Sequence, residues 1–490
     1  MIPELTIYQN VASRAGADAP PLAVDLDGTL ARGDTLHEGL LAMLREDAPS
    51  ALRRLAPALR RGKAAFKQEV CSSVSFDPSL LPYNQEVLEY VRDQHATGRR
   101  IGLFTAAHQS IADAIAAHLG FFNVVRGSNG VTNLSGAAKA RVIREEFGDR
   151  FAYAGDSATD RPVFDQAEQV VLVGPAARLA PSMAATKRIE AVFPNDRTGA
   201  LVWAKALRLQ HWSKNLLVFV APVLGFHFAS EVIAQAFLLF VLLGLLASAT
   251  YLVNDLFDLA ADRQHPKKRY RPLASGLISA RDGVAIAVLL IIGALTLGVL
   301  FLPPTVSLVL SAYLAITLAY SFGLKRQPFF DVAVLAGLFT LRVLAGNLVV
   351  PGPVSAWLLT FSMLFFLGLA MVKRYAELDR VLASGGDGVV SRNYTGRDLP
   401  LLLAAGVASG FAAVVIFMIY LIDDQYPRET YRHPEMLWAM LPVILVWTLR
   451  MWRLTVHGRM DEDPVVFALK DRVSLSLAGF CGAILLLAWS

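Results

Sequence analysis

Cysteine is nearly absent from this chain, and its N-terminus lacks the pattern of a cleaved signal peptide. The 490 residues include two cysteines, Cys71 and Cys481, which excludes a disulfide framework and a cysteine-ligated metal site. No basic stretch followed by an apolar run opens the sequence, so we expect the first domain to remain in the cytoplasm. The sequence also shows no internal repeat, and its low complexity is limited to an alanine-rich stretch near 177–186.

Hydrophobic residues are in excess, and they are concentrated in the second half of the chain. They make up 54% of all residues, and the mean hydropathy is +0.45, which is high for a wholly soluble protein. From Leu216 onward, uncharged stretches recur that are each about long enough to cross a bilayer. We predict nine spans, at 216–229, 231–253, 283–302, 305–322, 329–349, 354–372, 400–422, 437–449 and 473–490.

The distribution of lysine and arginine predicts how these spans are oriented. If the first half is cytoplasmic, the inside connections carry most of the basic residues of the second half, whereas the outside connections carry only Arg428 and Arg432. This asymmetry is typical of a multi-pass protein of the inner (cytoplasmic) membrane. The net charge of +5 is then a signal of membrane orientation, and we expect no nucleic-acid partner.

The first half alternates strand and helix patterns, as an α/β domain does. Short apolar runs occur at 22–26, 100–104, 151–156 and 169–174, and polar residues follow them. Ligands bind at this end of the strands in an open parallel sheet. Paired carboxylates, a hydroxyl, an ammonium group and further acids together predict a phosphoryl-transfer site. The residues concerned are Asp25 and Asp27 in DLDGT, Thr105, Lys139 in SGAAKARVI, and Asp156 and Asp160 in AGDSATD.

In order and type, these motifs resemble those of haloacid dehalogenase-type phosphatases. The resemblance implies a Rossmann-like domain over 1–186, with a small helical cap at about 34–98 and a linker at 187–204. It also implies site roles: Asp25 as nucleophile and metal ligand, Asp27 as general acid and base, Thr105 and Lys139 as phosphate-binding groups, and Asp156 and Asp160 at a Mg²⁺ site. A phosphatase fold that has lost its activity is the alternative, but no substitution in the motifs favours it.

A second motif follows the second predicted span, and we call residues 254–276, NDLFDLAADRQHPKKRYRPLASG, the aspartate-rich segment. On a helix, Asp255, Asp258 and Asp262 share one face. Their repulsion requires a cation, and Mg²⁺ held together with substrate phosphates meets this need. The basic residues that follow are suited to phosphate oxygens. A plain juxtamembrane loop would explain these basic residues, but not the acids.

The aspartate-rich segment resembles the first signature of the UbiA-type prenyltransferase superfamily. Asn254 and the three aspartates match its acidic motif, and Lys268 and Arg271 match its KxxRP element. The resemblance implies an all-α membrane domain of nine transmembrane helices over 205–490. Members that prenylate aromatic rings have a second acidic motif, whereas KRYAELDRV (373–381) and SRNYTG (391–396) are basic here. With RLQHWSKN (208–215), this pattern resembles the branch that transfers 5-phosphoribose to a polyprenyl phosphate.

The resemblance to this branch implies roles for the membrane-domain residues. The three aspartates would hold Mg²⁺ and the departing pyrophosphate, and the remaining residues would bind substrate. These are Asn254 for a donor oxygen, Lys268 and Arg271 for donor phosphates, Lys373, Arg374 and Arg392 for the 5-phosphate or the lipid phosphate, Tyr375 and Glu377 for the sugar, and Lys214 and Asn215 for the lipid head group. Arg342, within an apolar helix, is either a phosphate ligand or the partner of an acid such as Asp331; the same alternatives apply to Asn347.

The two resemblances together imply a bifunctional enzyme with phosphoribosyl pyrophosphate (PRPP) and a polyprenyl phosphate such as decaprenyl phosphate as substrates. The membrane domain would transfer 5-phosphoribose to the lipid, and the phosphatase would then remove the 5-phosphate. One alternative is prenylation of an aromatic or other small acceptor by a polyprenyl diphosphate. A carrier, or an anchor for the phosphatase, ranks low because the charged motifs lie at helix ends. The oligomeric state stays open, a homo-oligomer included.

Overall fold

The computed structural model of the protein describes residues 19–73, 76–129, 132–194, 199–389, 392–428, 430–460 and 463–490. The chain divides into two compact units. The first comprises Met1–Leu207 together with Leu252–Ile286, and the second comprises Arg208–Tyr251 together with Ala287–Ser490. The aspartate-rich segment therefore packs in the same unit as the N-terminal α/β domain.

A six-stranded parallel sheet forms the centre of the first unit. Its order is β3-β2-β1-β4-β5-β6, and β1, β4 and β5 are buried along their whole length, which explains their continuous apolar sequences. The strand order reverses beside β1, and such a reversal opens a crevice at the carboxyl ends of the strands. The strands are β1 (Leu22–Val24), β2 (Ile101–His108), β3 (Val124–Ser128), β4 (Ala152–Gly155), β5 (Gln169–Val173) and β6 (Arg188–Phe193).

The sheet of the α/β domain extends beyond residue 186, the predicted C-terminal boundary of this domain. Strand β6 lies inside the stretch predicted as a linker, 187–204, yet it pairs in parallel with β5. The sheet thus extends to Phe193 because a half-buried strand can complete a sheet edge without a continuous apolar sequence. Residues 195–198 of the predicted linker lie outside the described residues.

The helices of the N-terminal α/β domain include a cap and a layer against the sheet. Met43 and Leu55 of α1 form a small core with Val70 of α2, whereas Val87 and Val91 of α3 join the core of the sheet. The cap is therefore built by α1 and α2, and the segment 34–98 is only partly cap. The helices are α1 (Thr35–Arg60), α2 (Lys63–Ser73), α3 (Gln85–Ala96), α4 (Gln109–Leu119), α5 (Ala137–Phe147), α6 (Arg161–Phe164), α7 (Ala180–Met183) and α8 (Ala200–Ala206).

Long apolar helices dominate the rest of the chain. Among the described residues, eight are long and apolar enough to cross a membrane, so the predicted count of nine is not confirmed. The helices are α9 (Val220–Leu224), α10 (Ser230–Phe257), α11 (Leu259–Gln264), α12 (Ala280–Phe301), α13 (Pro304–Phe322), α14 (Phe330–Asn347), α15 (Ala356–Ala383), α16 (Leu399–Tyr420), α17 (Met440–Val456), α18 (Pro464–Lys470) and α19 (Arg472–Trp489). Of these, α9, α11 and α18 are too short to be among the eight.

The stretch predicted as the first span, 216–229, does not form a single long helix. A 3₁₀ segment covers Leu209–Phe219, α9 follows, and the helical structure ends at Gly225. The 3₁₀ segment packs closely in the second unit, since a Cβ on Gly346 of α14 would lie 2.0 Å from the Val218 carbonyl oxygen and one on Gly244 of α10 would lie 2.6 Å from the Trp212 ring. This packing fixes the position of the polar residues that the segment carries.

Candidate active sites

The acids of the α/β domain meet where β1 and β4 end. The two strands are paired, with Val24 level with Ala154, and each is followed by an aspartate, Asp25 or Asp156. Gly28 (φ +77°) allows the turn after β1 to approach Asp156, since a Cβ there would lie 2.2 Å from the Asp156 Oδ2 atom. The DLDGT motif therefore requires its glycine for both backbone conformation and space.

Lys139 of α5 neutralises part of this charge. Its Nζ atom lies 2.7 Å from Asp25 Oδ2 and 3.2 Å from Asp160 Oδ1, and all three side chains are buried. Burial raises the pKa of Asp25, and the Lys139 ammonium opposes that rise. Burial also disfavours the ammonium, but the two carboxylates outweigh it and raise the pKa of Lys139. The contact thus favours an ionised Asp25, which is the form that attacks phosphorus.

Asp25, Asp156 and Asp160 form a candidate metal site. One carboxylate oxygen from each lies within 4.8 Å of the other two. Burial, followed by repulsion from Asp25 and Asp160, raises the pKa of Asp156 to about 8. A divalent cation would relieve this repulsion, and an all-carboxylate donor set is one that Mg²⁺ accepts. The three residues therefore fit the ion that the sequence predicts.

Asp27, the predicted general acid and base, is bonded to Thr35 at the start of α1. The backbone N–H of Thr35 donates to Asp27 Oδ1 at 2.9 Å, and the Thr35 hydroxyl donates to Oδ2 at 3.3 Å. Burial, with repulsion from Asp34, raises the pKa of Asp27 to about 7, which suits a general acid and base at neutral pH. Thr105, the predicted phosphate-binding hydroxyl, is fully buried in β2 and accepts a hydrogen bond from the Ala107 N–H at 3.0 Å.

Tyr153 was missed by sequence reasoning because it stands in an apolar strand. Its hydroxyl donates to Asp160 Oδ1 at 2.8 Å and accepts from Lys139 Nζ at 3.1 Å. The side chain is fully buried. The available signal was a tyrosine three residues before a predicted metal ligand, since a buried phenol requires a hydrogen-bond partner.

Replacing Tyr153 with phenylalanine is expected to lower phosphatase activity about tenfold and to cost about 1–3 kcal/mol of stability, because Lys139 and Asp160 each lose a buried partner. Hydrolysis of p-nitrophenyl phosphate and thermal unfolding of the full chain measure the two effects. Tyr90→Phe is the matched control, because the Tyr90 hydroxyl donates to Glu190 Oε2 at 2.6 Å and this pair lies outside the candidate site. Equal activity of Tyr153→Phe and wild type would show that the hydroxyl does not organise the site.

The aspartate-rich segment forms the end of α10, a break at Asp258 and α11. Arg271 Nη1 donates to Asp255 Oδ1 at 3.0 Å and to Asp262 Oδ2 at 2.6 Å. Burial raises the pKa of Asp262, and Arg271 opposes this effect. Asp258 instead accepts from the Asn254 amide at 3.2 Å. One basic residue predicted to bind phosphate, Arg271, is therefore paired with acids, while Lys268 is exposed.

A half-buried acid joins two lysines of the second unit that were predicted to bind substrate. Asp463 Oδ2 accepts from Lys214 Nζ at 2.7 Å and from Lys373 Nζ at 2.8 Å. Asp463 was missed because it also caps α18, accepting from the Val465 N–H at 3.2 Å, and an aspartate before proline is an ordinary helix start.

We expect Asp463→Asn to raise the KM for the lipid phosphate that the sequence predicts as substrate about tenfold, since the two lysines would then repel each other and separate. Initial rates at varied lipid concentration measure this effect. Asp379→Asn on α15 serves as the control, because that acid lies outside the lysine pair. An unchanged KM in Asp463→Asn would contradict a positioning role for the carboxylate.

Arg342 does not pair with Asp331. It lies buried in α14, and its guanidinium donates to Asn215 Oδ1 at 2.9 Å, to the Leu338 carbonyl oxygen at 2.5 Å and to the Tyr313 hydroxyl at 2.7 Å. These contacts do not include the acid partner named as one alternative. Asn215, the amide predicted to bind the lipid head group, accepts one of the guanidinium hydrogen bonds. Asn347 is also buried.

Asp331 pairs with Arg374, one of the residues predicted to bind phosphate. Both side chains are fully buried and lie 2.7 Å apart, and the Tyr394 hydroxyl donates to Asp331 at 2.6 Å. Glu377 also pairs with Arg374, and Arg392 Nη1 lies 3.7 Å from Asp331. The basic groups in this part of the chain are therefore held by acids from two helices. Tyr375 is buried and packs edge-on against Trp452.

Comparison with known proteins assigns both halves. Residues 216–475, more than half of the chain, match the UbiA prenyltransferase family. The chain belongs to this family. Residues 22–165 match the haloacid dehalogenase-like hydrolases, so the chain joins a hydrolase domain to a UbiA membrane domain. Both families are families of enzymes, and together with the eight apolar helices the UbiA match identifies a multi-pass membrane protein.

Relatives resemble the UbiA domain alone or nearly the whole chain. Uncharacterized protein y4nM of Sinorhizobium fredii is 39% identical over 461 residues, which cover 93% of this chain and 88% of that protein. A decaprenyl-phosphate phosphoribosyltransferase of Mycobacterium tuberculosis is 32% identical over 279 residues, 56% of this chain and 89% of that protein. A solved UbiA homolog from Archaeoglobus fulgidus, bound to GPP and Mg²⁺, is 15% identical with a TM-score of 0.45, covering 59% of this chain and 99% of that chain.

Proposed function

We propose that the protein is a bifunctional membrane enzyme that transfers 5-phosphoribose from PRPP to a polyprenyl phosphate and then removes the 5-phosphate. The observation that carries this proposal is the set of cations Lys373, Arg374 and Arg392 in α15 and after it, in the region where members that prenylate aromatic rings have an acidic motif. Two phosphates, on the donor sugar and on the lipid, require cations, whereas an aromatic acceptor does not. The similarity of the UbiA domain to decaprenyl-phosphate phosphoribosyltransferases supports the same reaction.

In the first reaction, a lipid phosphate oxygen attacks the anomeric carbon of the ribose, and the bond from that carbon to pyrophosphate breaks. The lipid phosphate is already ionised, so no strong base is needed. Magnesium, when bound, would neutralise the leaving pyrophosphate. Asp255, Asp258 and Asp262 would hold this ion, and Arg271 would move from Asp255 and Asp262 to the pyrophosphate.

The remaining residues of the UbiA domain are proposed to bind the substrates. Their contacts support two groups, one around Asp463 and one around Asp331. Within the first group, Lys214 and Lys373 present two ammonium groups beside one carboxylate, which leaves a net positive charge for a phosphate. The proposed roles are Asn254 and Lys268 for the donor diphosphate, Lys214, Asn215 and Arg342 for the lipid head group, Lys373, Arg374 and Arg392 for the 5-phosphate or lipid phosphate, and Tyr375 and Glu377 for the sugar.

In the second reaction, Asp25 attacks the phosphorus of the 5-phosphate and Asp27 protonates the departing ribose oxygen. Water then attacks the aspartyl phosphate, and Asp27 takes its proton, so that inorganic phosphate is released and Asp25 is regenerated. Lys139 favours the ionised form of Asp25, and Thr105 would bind a phosphate oxygen. Asp25, Asp156 and Asp160 would hold a second Mg²⁺, which supplies positive charge to the transferring phosphoryl group.

We further propose that the α/β domain and the aspartate-rich segment lie on the cytoplasmic side of the inner membrane. Their packing in one compact unit supports a common side. Because α10 ends in the aspartate-rich segment, its first residue, Ser230, would then be on the outer side. The 3₁₀ segment and α9 would then have to connect the cytoplasmic side of the membrane with its outer side. With rises of about 2.0 Å per residue in the 3₁₀ segment and about 1.5 Å in α9, the two together span roughly 30 Å. This length is about the thickness of the hydrocarbon core.

Donor specificity tests the proposal. Detergent-purified protein with magnesium is expected to release pyrophosphate from PRPP only when a polyprenyl phosphate is present. The comparison reaction contains a polyprenyl diphosphate and 4-hydroxybenzoate in place of these substrates. Pyrophosphate release in the comparison reaction alone would replace the proposal with prenylation of an aromatic acceptor.

A further inference from the structure

The aspartate-rich segment contacts the phosphatase cap within the first unit. Arg263 Nη1 and Nη2 donate to the two carboxylate oxygens of Glu38, at 2.7 and 2.8 Å. The two side chains are only 10% and 17% exposed. Arg263 is held from its other side, since its Nε donates to the Ala274 carbonyl oxygen at 2.9 Å. A shielded, two-bonded pair of this kind is specific in geometry, unlike a typical surface ion pair.

Two further contacts extend the contact between the aspartate-rich segment and the cap beyond the Glu38–Arg263 pair. Gly276 (φ +73°) packs so closely that a Cβ on it would lie 2.7 Å from Arg32 Cβ and 3.2 Å from Pro82 Cγ. Arg45 of α1 lies 3.8 Å from Asp258. The segment thus touches the chain before α1, the first turns of α1 and the loop before α3, and its charges face opposite charges at both ion pairs.

The position of Glu38 connects this surface with phosphatase chemistry. Glu38 lies in the first turn of α1, and a Cβ on Gly33 would lie 2.2 Å from its Oε1 atom. In the same turn, Thr35 bonds Asp27, the proposed general acid and base. The segment is therefore attached where the chain leaves the phosphatase site and enters the cap.

We propose that the Glu38–Arg263 pair docks the phosphatase cap on the aspartate-rich segment. The lipid that still carries the 5-phosphate then reaches the phosphatase site before the enzyme releases this lipid. The proposal rests on the bifunctional reaction proposed above. The segment that would hold the phosphoribosyl donor and the entry to the phosphatase cap then move as one body. A docked site sees its substrate at a high effective concentration, which a free phosphatase in the same solution does not.

Charge reversal of each partner tests the docking. In Glu38→Arg and in Arg263→Glu, we expect the lipid that retains its 5-phosphate to rise about tenfold early in the reaction, because the effective concentration is lost. The double variant, Glu38→Arg with Arg263→Glu, is expected to return this fraction to the wild-type value. Arg150→Glu is the control, since Arg150 pairs with Glu168 at 2.9 Å on the exposed face of the same domain.

The separate activities must be measured in the same preparations. Hydrolysis of p-nitrophenyl phosphate and total ribose label in lipid are expected to stay at wild-type values in all four variants. With both rates intact, single reversals that accumulate no phosphorylated lipid would overturn the proposal. Accumulation that the double variant fails to reverse would overturn the pairing of these two residues.

A cross-linking arm separates failure of the docking from failure of the proposed function. Arg45→Cys and Ala261→Cys, two exposed positions on this surface that leave the Glu38–Arg263 pair intact, are combined in a full chain that also carries Cys71→Ser and Cys481→Ser, and the protein is treated in membranes with a short bismaleimide. We expect mass spectrometry to find one peptide pair joined through the two positions. If wild type labels no lipid but the peptides are joined, the reaction is wrong and the docking stands; unjoined peptides overturn the docking whatever the reaction.

Discussion

The Asp25→Asn protein is expected to produce a lipid that carries one phosphate more than the wild-type product. An asparagine preserves the shape of the side chain but cannot attack phosphorus, so no aspartyl phosphate forms. Removing a nucleophile from an organised site costs about 10⁴-fold or more in rate. Ribose transfer is expected to continue, because Asp25 belongs to the hydrolase site and not to the aspartate-rich segment.

Mass spectrometry of the lipid products, made from PRPP and decaprenyl phosphate, measures this difference. Asp165→Asn is the matched control, since that exposed acid of the same domain lies outside the candidate metal site. If Asp25→Asn and wild type give lipids with the same phosphate count, the hydrolase acts on another phosphate ester. The transferase proposal would survive this result, and the coupling of the two reactions would not.

The Asp255→Asn protein is expected to lose ribose transfer by about 10²- to 10³-fold, because one carboxylate no longer helps to place positive charge at the leaving pyrophosphate. The side chain is 4% exposed and bonds Arg271, and asparagine can still accept that hydrogen bond. The fold should therefore persist. Hydrolysis of p-nitrophenyl phosphate is expected to stay unchanged and reports an intact first unit.

Ribose label in the lipid at limiting PRPP measures the loss in Asp255→Asn. Asp282→Asn provides the control, because this exposed acid in the first turn of α12 follows the aspartate-rich segment but is outside its motif. Wild-type transfer by Asp255→Asn would remove the motif from the reaction. Loss of both activities would indicate a damaged fold and would require the same measurement on Asp262→Asn.

Much of the α/β domain could be predicted from sequence because its strands are short apolar runs with polar residues at one end. The predicted runs at 22–26, 100–104, 151–156 and 169–174 all became strands, and their order placed Asp25 and Asp156 side by side. Strand β6 could not be predicted in the same way, since its alternating residues carry charge at Arg188 and Glu190 and are only half-buried. Its pairing depends on β5, which lies elsewhere in the sequence.

The partners of charged residues were harder to predict than their presence. An arginine in an apolar helix requires a polar environment, yet that requirement did not reveal that Arg342 binds Asn215 and Tyr313 while Asp331 binds Arg374. The carboxylate of Asp463 was hidden in the same way, because its partners Lys214 and Lys373 are far from it in sequence. Spacing shows which side chains share one helix face, but tertiary packing alone brings two helices together.

In the membrane domain, the sequence could not predict how long each helix is. A hydropathy pattern records apolar composition, and composition does not distinguish a continuous helix from a 3₁₀ segment followed by the short helix α9. The predicted span at 216–229 was of this kind, and Pro222 and Gly225 mark where it departs from a single long helix. The more strongly apolar spans 231–253 and 400–422 became α10 and α16, since their glycines, Gly244, Gly406 and Gly410, lie inside continuous helices and Pro400 lies in the first turn of α16.

A dual-label reaction tests the two-step function most directly. PRPP carrying a carbon label in the ribose and a phosphorus label in the 5-phosphate is incubated with wild-type protein, magnesium and decaprenyl phosphate. We expect the carbon label to enter the lipid and the phosphorus label to appear as inorganic phosphate. Retention of both labels in the lipid would contradict the second step, and absence of the carbon label from the lipid would contradict the first.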